Sequence, residues 1–544
     1  MVRLSDPDPW WHLATGRWIV EHHAIPRVDP FSFTMAGAPW RAVDWLADLV
    51  LWGSFALAGN AGVGALTALS AFAMLVALGF LLRELELSTA AAVAIVACAG
   101  VMVQGRYSMA RPMMLGAVAL CATMLLCARS WRRRDASVFG VVPLVAAWSV
   151  VHSTAILGIA VVALFAAAGL VARHASWRRF AAAAALSLAV AALLPSARGR
   201  FAVAFGLEHA SLAVALTREW ARTRLGDREL WLPLAAALAA AVTLVRAGLR
   251  DRARLRDALP YLGLLALGAL VASRFARNLY EAILLGAPAC GLALERAHAW
   301  LAARKLRSPS LPSPSLVVLL AAGVLVPVVH LRLAPDAFNT RFGVGPADGA
   351  VPAETLAVLR SLPAGRVMND CTLGGWLIFQ RVPVYCDGRT VALYREADVE
   401  RLFVPLYANA ATIDAVADEY DIHYALARFD SDFHDTLMRA PSWVPLAYDR
   451  EDALFVRRKF AAELPRDVVA LDQLRFANDA RWLDGWYARI AADPARADAL
   501  ERQAIRAVAL CPTSRTLHAA LAYLGRAQPA LADRLKRALE ASLR

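Results

Sequence analysis

The sequence has no CxxC pair and no cysteine–histidine grouping at ligand spacing among its seven cysteines, so a structural metal pattern is excluded. Its first residues are polar, and no cleavable signal peptide is visible. No two halves of the chain repeat one another, so the usual mark of a repeat-built transporter is missing. The composition of a soluble globule is missing too: 59% of the 544 residues are apolar, and mean hydropathy is +0.47. The formal net charge of +13 would suggest nucleic acid in a soluble protein. Here the arginines flank apolar runs, the bias expected of cytoplasmic loops, and no nucleic-acid partner is expected. Cys98, Cys121, Cys127 and Cys290 fall inside apolar runs and read as packing residues.

What the chain does have is a series of apolar runs of near-spanning length. They cover 62–82, 88–104, 113–128, 138–151, 154–172, 180–195, 230–247, 259–273, 279–295 and 315–332. These predict a polytopic membrane protein with about ten spans, several close to the short limit of roughly 17 residues. The segment 42–58 carries Asp44 and Asp48 on its first turns and reads as an interfacial helix. Four loops hold basic clusters: Arg129 with Arg132 to Arg134, Arg173 with Arg178 and Arg179, Arg246 to Arg256, and Arg296 to Arg307. Alternating spans put all four on one side, which is then cytoplasmic. The N-terminal segment, the loop 196–229 and everything after 332 fall outside. An outward N-terminus normally follows a preceding span, so a helix ahead of residue 1 is expected; the alternative is that the next span pulls this short N-terminus across.

Five groups of polar residues share that outer side. The first is Ser5-Asp6-Pro7-Asp8-Pro9-Trp10-Trp11-His12, with Asp29 and Asp44 further along. The others are Arg106 with Arg111-Pro112, Trp148 with His152, Glu219-Trp220, and Arg274 with Arg277-Asn278. Tryptophan suits the headgroup level, and ionisable groups at a bundle mouth are costly enough to suggest function. Arginine matches phosphate oxygens bidentately, and a carboxylate can deprotonate an attacking hydroxyl. The set suits a substrate with a phosphate leaving group. Asp6 and Asp8 are also the candidate ligands of a divalent cation, Mg or Mn, beside that phosphate. Each group has a plainer reading. The N-terminal cluster is then a turn with a Trp anchor, Arg106 and Arg111 snorkel, His152 caps a helix in the core, and Arg274, Arg277 and Glu219 form structural ion pairs.

The stretches DPDPWWHLATGRWI, IPRVDPFSFTMAGAPW and VDWLADL resemble the opening outer loop of bacterial multispanning proteins related to the GT-C glycosyltransferases. Ala110-Arg111-Pro112, the Trp148/His152 pair, Glu219-Trp220, Arg277-Asn278 and NDCTLGGWLIFQRVPVYCDGRTVALY add weaker echoes. Asp44-Trp45-Leu46 stands where the family has an E-W-L-like motif. The resemblance implies a mainly α, GT-C-type helical membrane bundle with a C-terminal extracytoplasmic α/β domain and a terminal helical segment. The implied activity moves a sugar from a polyprenyl-phosphate donor to an extracytoplasmic glycan, lipid or protein acceptor, in the bacterial inner membrane. Asp8 is the implied catalytic base, with Asp6 beside it and Glu219 as a further acid. His12, Arg106, Arg111, His152, Trp220, Arg274, Arg277 and Asn278 are the expected substrate-binding residues. A non-enzymatic transporter or assembly factor for envelope polysaccharide is the alternative.

The expected domains are 1–61, an outer loop with its interfacial helix; 62–332, the bundle; 333–460, an α/β domain; and 461–544, helical. Strand candidates are 365–370, 376–379, 382–385 and 420–426. Cys371 and Cys386 are expected either to pair or to stay as two buried thiols. Asp8, Glu219, His152 and Arg277 are expected to share one cavity. The topology predicts that a reporter fused after residue 460 is active only when exported; activity in the cytoplasm would reverse the assignment of sides.

Overall fold

The structure, a computed structural model, describes residues 3–40, 42–107, 109–194, 223–224, 226–303, 329, 343–429, 431–466 and 468–542. The chain divides into two compact units. The first comprises Met1–Arg3, Thr15–Ile25 and Arg41–Gly345; the second comprises Leu4–Ala14, Pro26–Trp40 and Pro346–Arg544. The expected 1–61 segment is therefore shared between both units, and 346–544 holds together as one body. Helix α1, Asp8–His22, has its first residues in the second unit and its remainder in the first.

The first unit is helical. It contains α2 (Trp45–Glu84), α3 (Thr89–Tyr107), α4 (Met113–Arg133), α5 (Val141–Ser149), α6 (Ala155–Ala172), α7 (Trp177–Leu193), α8 (Arg228–Arg250), α9 (Arg252–Arg274) and α10 (Leu279–Ala303). Among the described residues six helices are long and apolar enough to cross a membrane: α2, α3, α4, α6, α8 and α9. The expected spans at 138–151 and 180–195 form shorter apolar helices, and 315–332 lies outside the described residues apart from Val329. Helix α2 is two helices in one. The backbone leaves helical geometry at Ala58 and at Gly59, whose φ of +56° suits glycine. That break falls at the end of the segment read as interfacial. Asp48, however, is buried, because Gly16 of α1 packs directly on the Asp48 carbonyl and the Trp52 side chain. The core is a continuous cluster that includes Leu78, Cys121, Cys127, Phe165, Phe180 and Leu264. Cys121 and Cys127 pack as expected and Cys290 is half-buried, but Cys98 is exposed on α3.

The second unit contains a four-stranded sheet: β1 (Arg366–Asn369), β2 (Ile422–Arg428), β3 (Trp443–Tyr448) and β4 (Asp452–Arg457), in the order β1-β2-β4-β3. β1 and β2 are parallel, and the other two pairings are antiparallel. The strands expected at 365–370 and 420–426 are present as β1 and β2. The run 376–379 is not a strand: it closes helix α12, Cys371–Phe379, which follows α11, Ala353–Ser361. Asp370 caps α12 by accepting from Thr372 N at 3.0 Å. The run 382–385 makes only an isolated bridge from Val384 to Ser32. Cys371 and Cys386 form a disulfide with Cα atoms 5.0 Å apart. The last helices, α13 to α16, are Ala480–Ala491, Pro494–Leu510, Arg515–Ala527 and Pro529–Ser542. Arg475, ahead of them, reaches back to the sheet and donates to the carbonyls of Met438 (2.6 Å), Ala440 (3.3 Å) and Trp443 (2.8 Å).

Beside the β3–β4 turn, Asp449 caps α11, accepting from Glu354 N at 2.8 Å and Arg450 N at 2.7 Å. Burial and the Glu354 carboxyl next to it raise the Asp449 pKa to about 7. The folded protein then keeps a proton that the unfolded chain releases near pH 4, taking about 3.9 as the ordinary Asp value. This group's stabilisation is complete below that pH and is lost as pH rises through about 7. Thermal unfolding of wild type should show a lower midpoint at pH 8 than at pH 5. Asp449→Asn should narrow the gap, and an identical pH response in both proteins would refute the assignment.

Candidate active site

The acidic motif opens α1. Asp6 accepts from Asp8 N at 3.2 Å, the geometry of an Asp-initiated turn, and Pro9 follows with a backbone already suited to the first helical turn. Asp6 and His12 are buried, and Asp8 is half-buried. Trp10 is not a headgroup anchor. It is fully buried, edge-on to Trp376 at 4.6 Å and tilted against Phe379 at 5.5 Å, both on α12. Trp11 lies tilted against His12, with ring centroids 3.5 Å apart.

Two glycines of the second unit leave room for this motif, and a third lets α12 close on the loop before Gly388. A Cβ on Gly375 would lie 2.5 Å from the Pro7 carbonyl oxygen, and one on Gly388 would lie 2.7 Å from Asp8 Oδ1. A Cβ on Gly374 would meet the Cys386 carbonyl at 2.3 Å. So α12 lies directly on the backbone before Gly388 and on the turn before Asp8. The disulfide joins the first residue of α12 to the same loop. Asn369 adds a second link, donating to the Cys386 carbonyl at 2.8 Å and accepting from Tyr385 N at 2.9 Å.

The residue after Gly388 fixes the loop. Arg389 is fully buried and grips Asp387 bidentately, at 2.9 Å through Nε and 2.7 Å through Nη2. Its Nη1 donates to Asp29 at 2.7 Å. Burial opposes the guanidinium charge, but Asp387 and Asp29 outweigh it and hold the Arg389 pKa above its ordinary value. The cation lies over the rings of Trp40 at 4.6 Å and Phe31 at 5.1 Å. Tyr394 donates to Asp387 at 3.1 Å; burial and that carboxylate push its hydroxyl pKa well up. Asp29 also accepts from Phe31 N at 3.0 Å and Ser32 N at 3.2 Å. Asp29 is therefore a structural counter-ion, where the sequence had placed it among the outer acids.

The other expected residues belong to the first unit. Arg106 ends α3, buried, beside Tyr107; the Tyr107 hydroxyl lies next to Glu281 near the start of α10. Arg111 precedes α4. His152 Nδ1 lies 2.7 Å from Thr154 Oγ1 and 3.3 Å from Thr154 N. Trp148 donates to the same Thr154 hydroxyl at 3.3 Å and sits between Gly116 of α4 and Gly158 of α6. The Leu46 amide of the D-W-L motif donates to the Val150 carbonyl at 3.2 Å, tying the start of α2 to this hairpin. Arg274 closes α9. Asn278 donates to the Val271 carbonyl at 3.1 Å and so caps that helix, with Arg277 beside it. Glu219 and Trp220 lie outside the described residues. Asp8 falls in the second unit, and His152 and Arg277 fall in the first.

Sequence reasoning gave no role to Glu281, Tyr107, Gly388 or Arg389. An acid in the first turn of an apolar helix was the available signal for Glu281. Asp6 and Asp8 offer hard oxygen ligands of the kind Mg or Mn uses beside a phosphate. Among the described residues, the three-donor cluster is elsewhere, at Glu354, Asp449 and Cys511.

No family model matches the chain, and no curated protein matches it in sequence. Solved structures match it in fold. The oligosaccharyltransferase AglB from Archaeoglobus fulgidus, in complex with an inhibitory peptide and a dolichol-phosphate, is similar over 88% of this chain and 73% of its own, with TM-score 0.51 and 11% identity. A second structure of the A. fulgidus oligosaccharyltransferase, tethered to an acceptor peptide, covers 86% and 72% with TM-score 0.52 and 11% identity. ArnT from Cupriavidus metallidurans gives TM-score 0.47 at 16% identity, over 84% of this chain and 94% of its own. The chain shares the fold of these two oligosaccharyltransferase structures.

Removing Arg389 leaves two buried carboxylates without their cation. Arg389→Met should destabilise the protein by about 3–5 kcal/mol, read from the denaturant midpoint of the purified protein in detergent. A midpoint unchanged from wild type would contradict the buried ion-pair account.

Proposed function

We propose that the chain is a membrane glycosyltransferase that moves a sugar from a polyprenyl-phosphate donor to an acceptor outside the cytoplasm, with Asp8 as catalytic base. The observation that carries this reading is the seat of Asp8. Two glycines give it room, and a disulfide and a buried Arg389–Asp387–Asp29 cluster fix the loop beneath it. A turn that only began a helix would need none of these parts. The GT-C fold, shared with AglB, a protein whose solved complex holds dolichol-phosphate, supports the donor class.

In this reaction the acceptor hydroxyl attacks the anomeric carbon, the bond from that carbon to the phosphate oxygen breaks, and polyprenyl phosphate leaves. Asp8 takes the hydroxyl proton. Asp6 orients the Asp8 turn through the amide it accepts from. Arg106, Arg111, Arg274 and Arg277 are assigned to the donor phosphates, where bidentate geometry suits the leaving group. His12, His152, Trp220 and Asn278 are assigned to substrate positioning, and Glu219 remains a second candidate acid. A divalent cation held by Asp6 and Asp8 would neutralise phosphate charge. The Cys371–Cys386 disulfide supports an oxidising location for the second unit, and the basic loops support a bacterial inner-membrane orientation with that unit outside.

The test is a transfer assay over a panel of polyprenyl-phosphate sugars. Asp8→Asn keeps the shape but cannot take a proton, and should lose about a hundred- to ten-thousand-fold in rate. Asp6→Asn should lose less. Gly388→Ala, whose Cβ would crowd Asp8 Oδ1, should also lose activity while the protein stays folded and inserted. Wild-type transfer by Asp8→Asn at equal expression would leave the non-enzymatic reading in front.

A further inference from the structure

The first unit holds a cavity of about 450 Å³ between the ends of α2 and α4. Helix α2 supplies Phe80, Arg83 and Glu84; helix α4 supplies Leu125, Leu126, Arg129 and Arg133. Three arginines against one glutamate give the lining a net charge of +2. Arg133 is already engaged, lying flat on Glu84 through two bonds of 3.0 Å, so the carboxylate is matched in place. Arg83 and Arg129 are exposed, and among the described residues neither has a carboxylate at hydrogen-bonding distance. Phe80, Leu125 and Leu126 lie three or four positions before these arginines, one helical turn deeper along the same faces. The cavity is therefore cationic at the helix ends and apolar beneath.

This place is remote from the proposed site. Helix α4 runs 21 residues from Met113, so at about 1.5 Å per residue its far end lies roughly 30 Å from Arg111. The volume falls within the roughly 300–1,000 Å³ of small-molecule sites.

We infer that this cavity binds the headgroup of an anionic phospholipid, with Arg83 and Arg129 on the phosphate and Phe80, Leu125 and Leu126 against the first part of the acyl chains. A free phosphate would use the cations and leave the apolar floor empty; a phospholipid uses both. Arg133, paired with Glu84, lines the site beside them. The leaflet is the one facing the basic loops, which attracts anionic headgroups.

Native mass spectrometry of the purified full chain with added phosphatidylglycerol, phosphatidylcholine or inorganic phosphate tests this. Wild type should retain phosphatidylglycerol in preference to phosphatidylcholine. Each of Arg83→Gln and Arg129→Gln should lose about fivefold in apparent affinity, and the double variant about twenty-fold. Arg178→Gln, an exposed arginine outside the cavity, should bind as wild type does. The single variants keep the test open if the double variant fails to fold. Equal retention of both lipids, equal loss in Arg178→Gln, no loss in either single variant, or displacement of the lipid by inorganic phosphate would each overturn the proposal.

Discussion

A buried guanidinium holds the second unit's proposed reaction face together. Arg389, Asp387 and Asp29 are all fully buried as charges, an arrangement that costs several kcal/mol per ion before their mutual attraction is counted. The geometry returns that cost through three short charge-assisted bonds, a tyrosine hydroxyl and two aromatic faces. Because Arg389 follows Gly388 directly, the same cluster sets the height of the backbone on which Asp8 lies. Pieces of sequence far apart become one rigid part. The segment 26–40 supplies Asp29 and the aromatic cover, and 387–394 supplies the arginine, its main partner and Tyr394. Backbone bonds from Phe33 N to the Val384 carbonyl at 3.1 Å and from Val384 N to the Phe31 carbonyl at 3.3 Å lock the pieces in register.

The first unit treats its polar residues in a comparable way. Trp148 has an indole nitrogen that needs a partner in an apolar bundle, and Thr154 supplies it. The same hydroxyl meets His152, so one threonine sets both the tryptophan and the imidazole. Gly116 and Gly158 let neighbouring helices close on the ring. The plainer reading of His152 as a local cap and the functional one are thus compatible. Its Nδ1 meets Thr154 within the hairpin, and that contact uses one ring nitrogen of the two.

Much of the architecture was legible because hydrophobic length survives translation into structure. The runs 88–104, 113–128 and 154–172 became α3, α4 and α6, and β1 and β2 lie where their apolar runs stood. The failures have specific causes. The run 376–379 reads as a strand by its β-favouring residues, yet Asp370 caps a helix there and Gly374 and Gly375 let it close on its neighbours. Trp10 was read from its general liking for interfaces, while its burial depends on Trp376 and Phe379, more than 360 positions away. Asp29 looked like one more outer acid because a counter-ion is invisible until the fold supplies it. The disulfide was half legible: composition gave two cysteines near each other, and only the fold showed the 5.0 Å approach.

The bond from Arg389 to Asp29 crosses 360 positions of sequence. At roughly 5–20 residues per second, the ribosome takes tens of seconds to travel that distance. During that time the N-terminal segment exists without the loop it is built to hold. Asp29 then stays hydrated, and Asp8 sits on no platform. The second unit is closed by an earlier-made and a later-made segment of the nascent chain, with most of the helical unit made in between. A fragment beginning at Pro346 omits Leu4–Ala14 and Pro26–Trp40, and with them the carboxylate that completes the buried cluster. The proposed reaction face is in this sense a late event in the protein's own synthesis, assembled only when two segments 360 positions apart are present together.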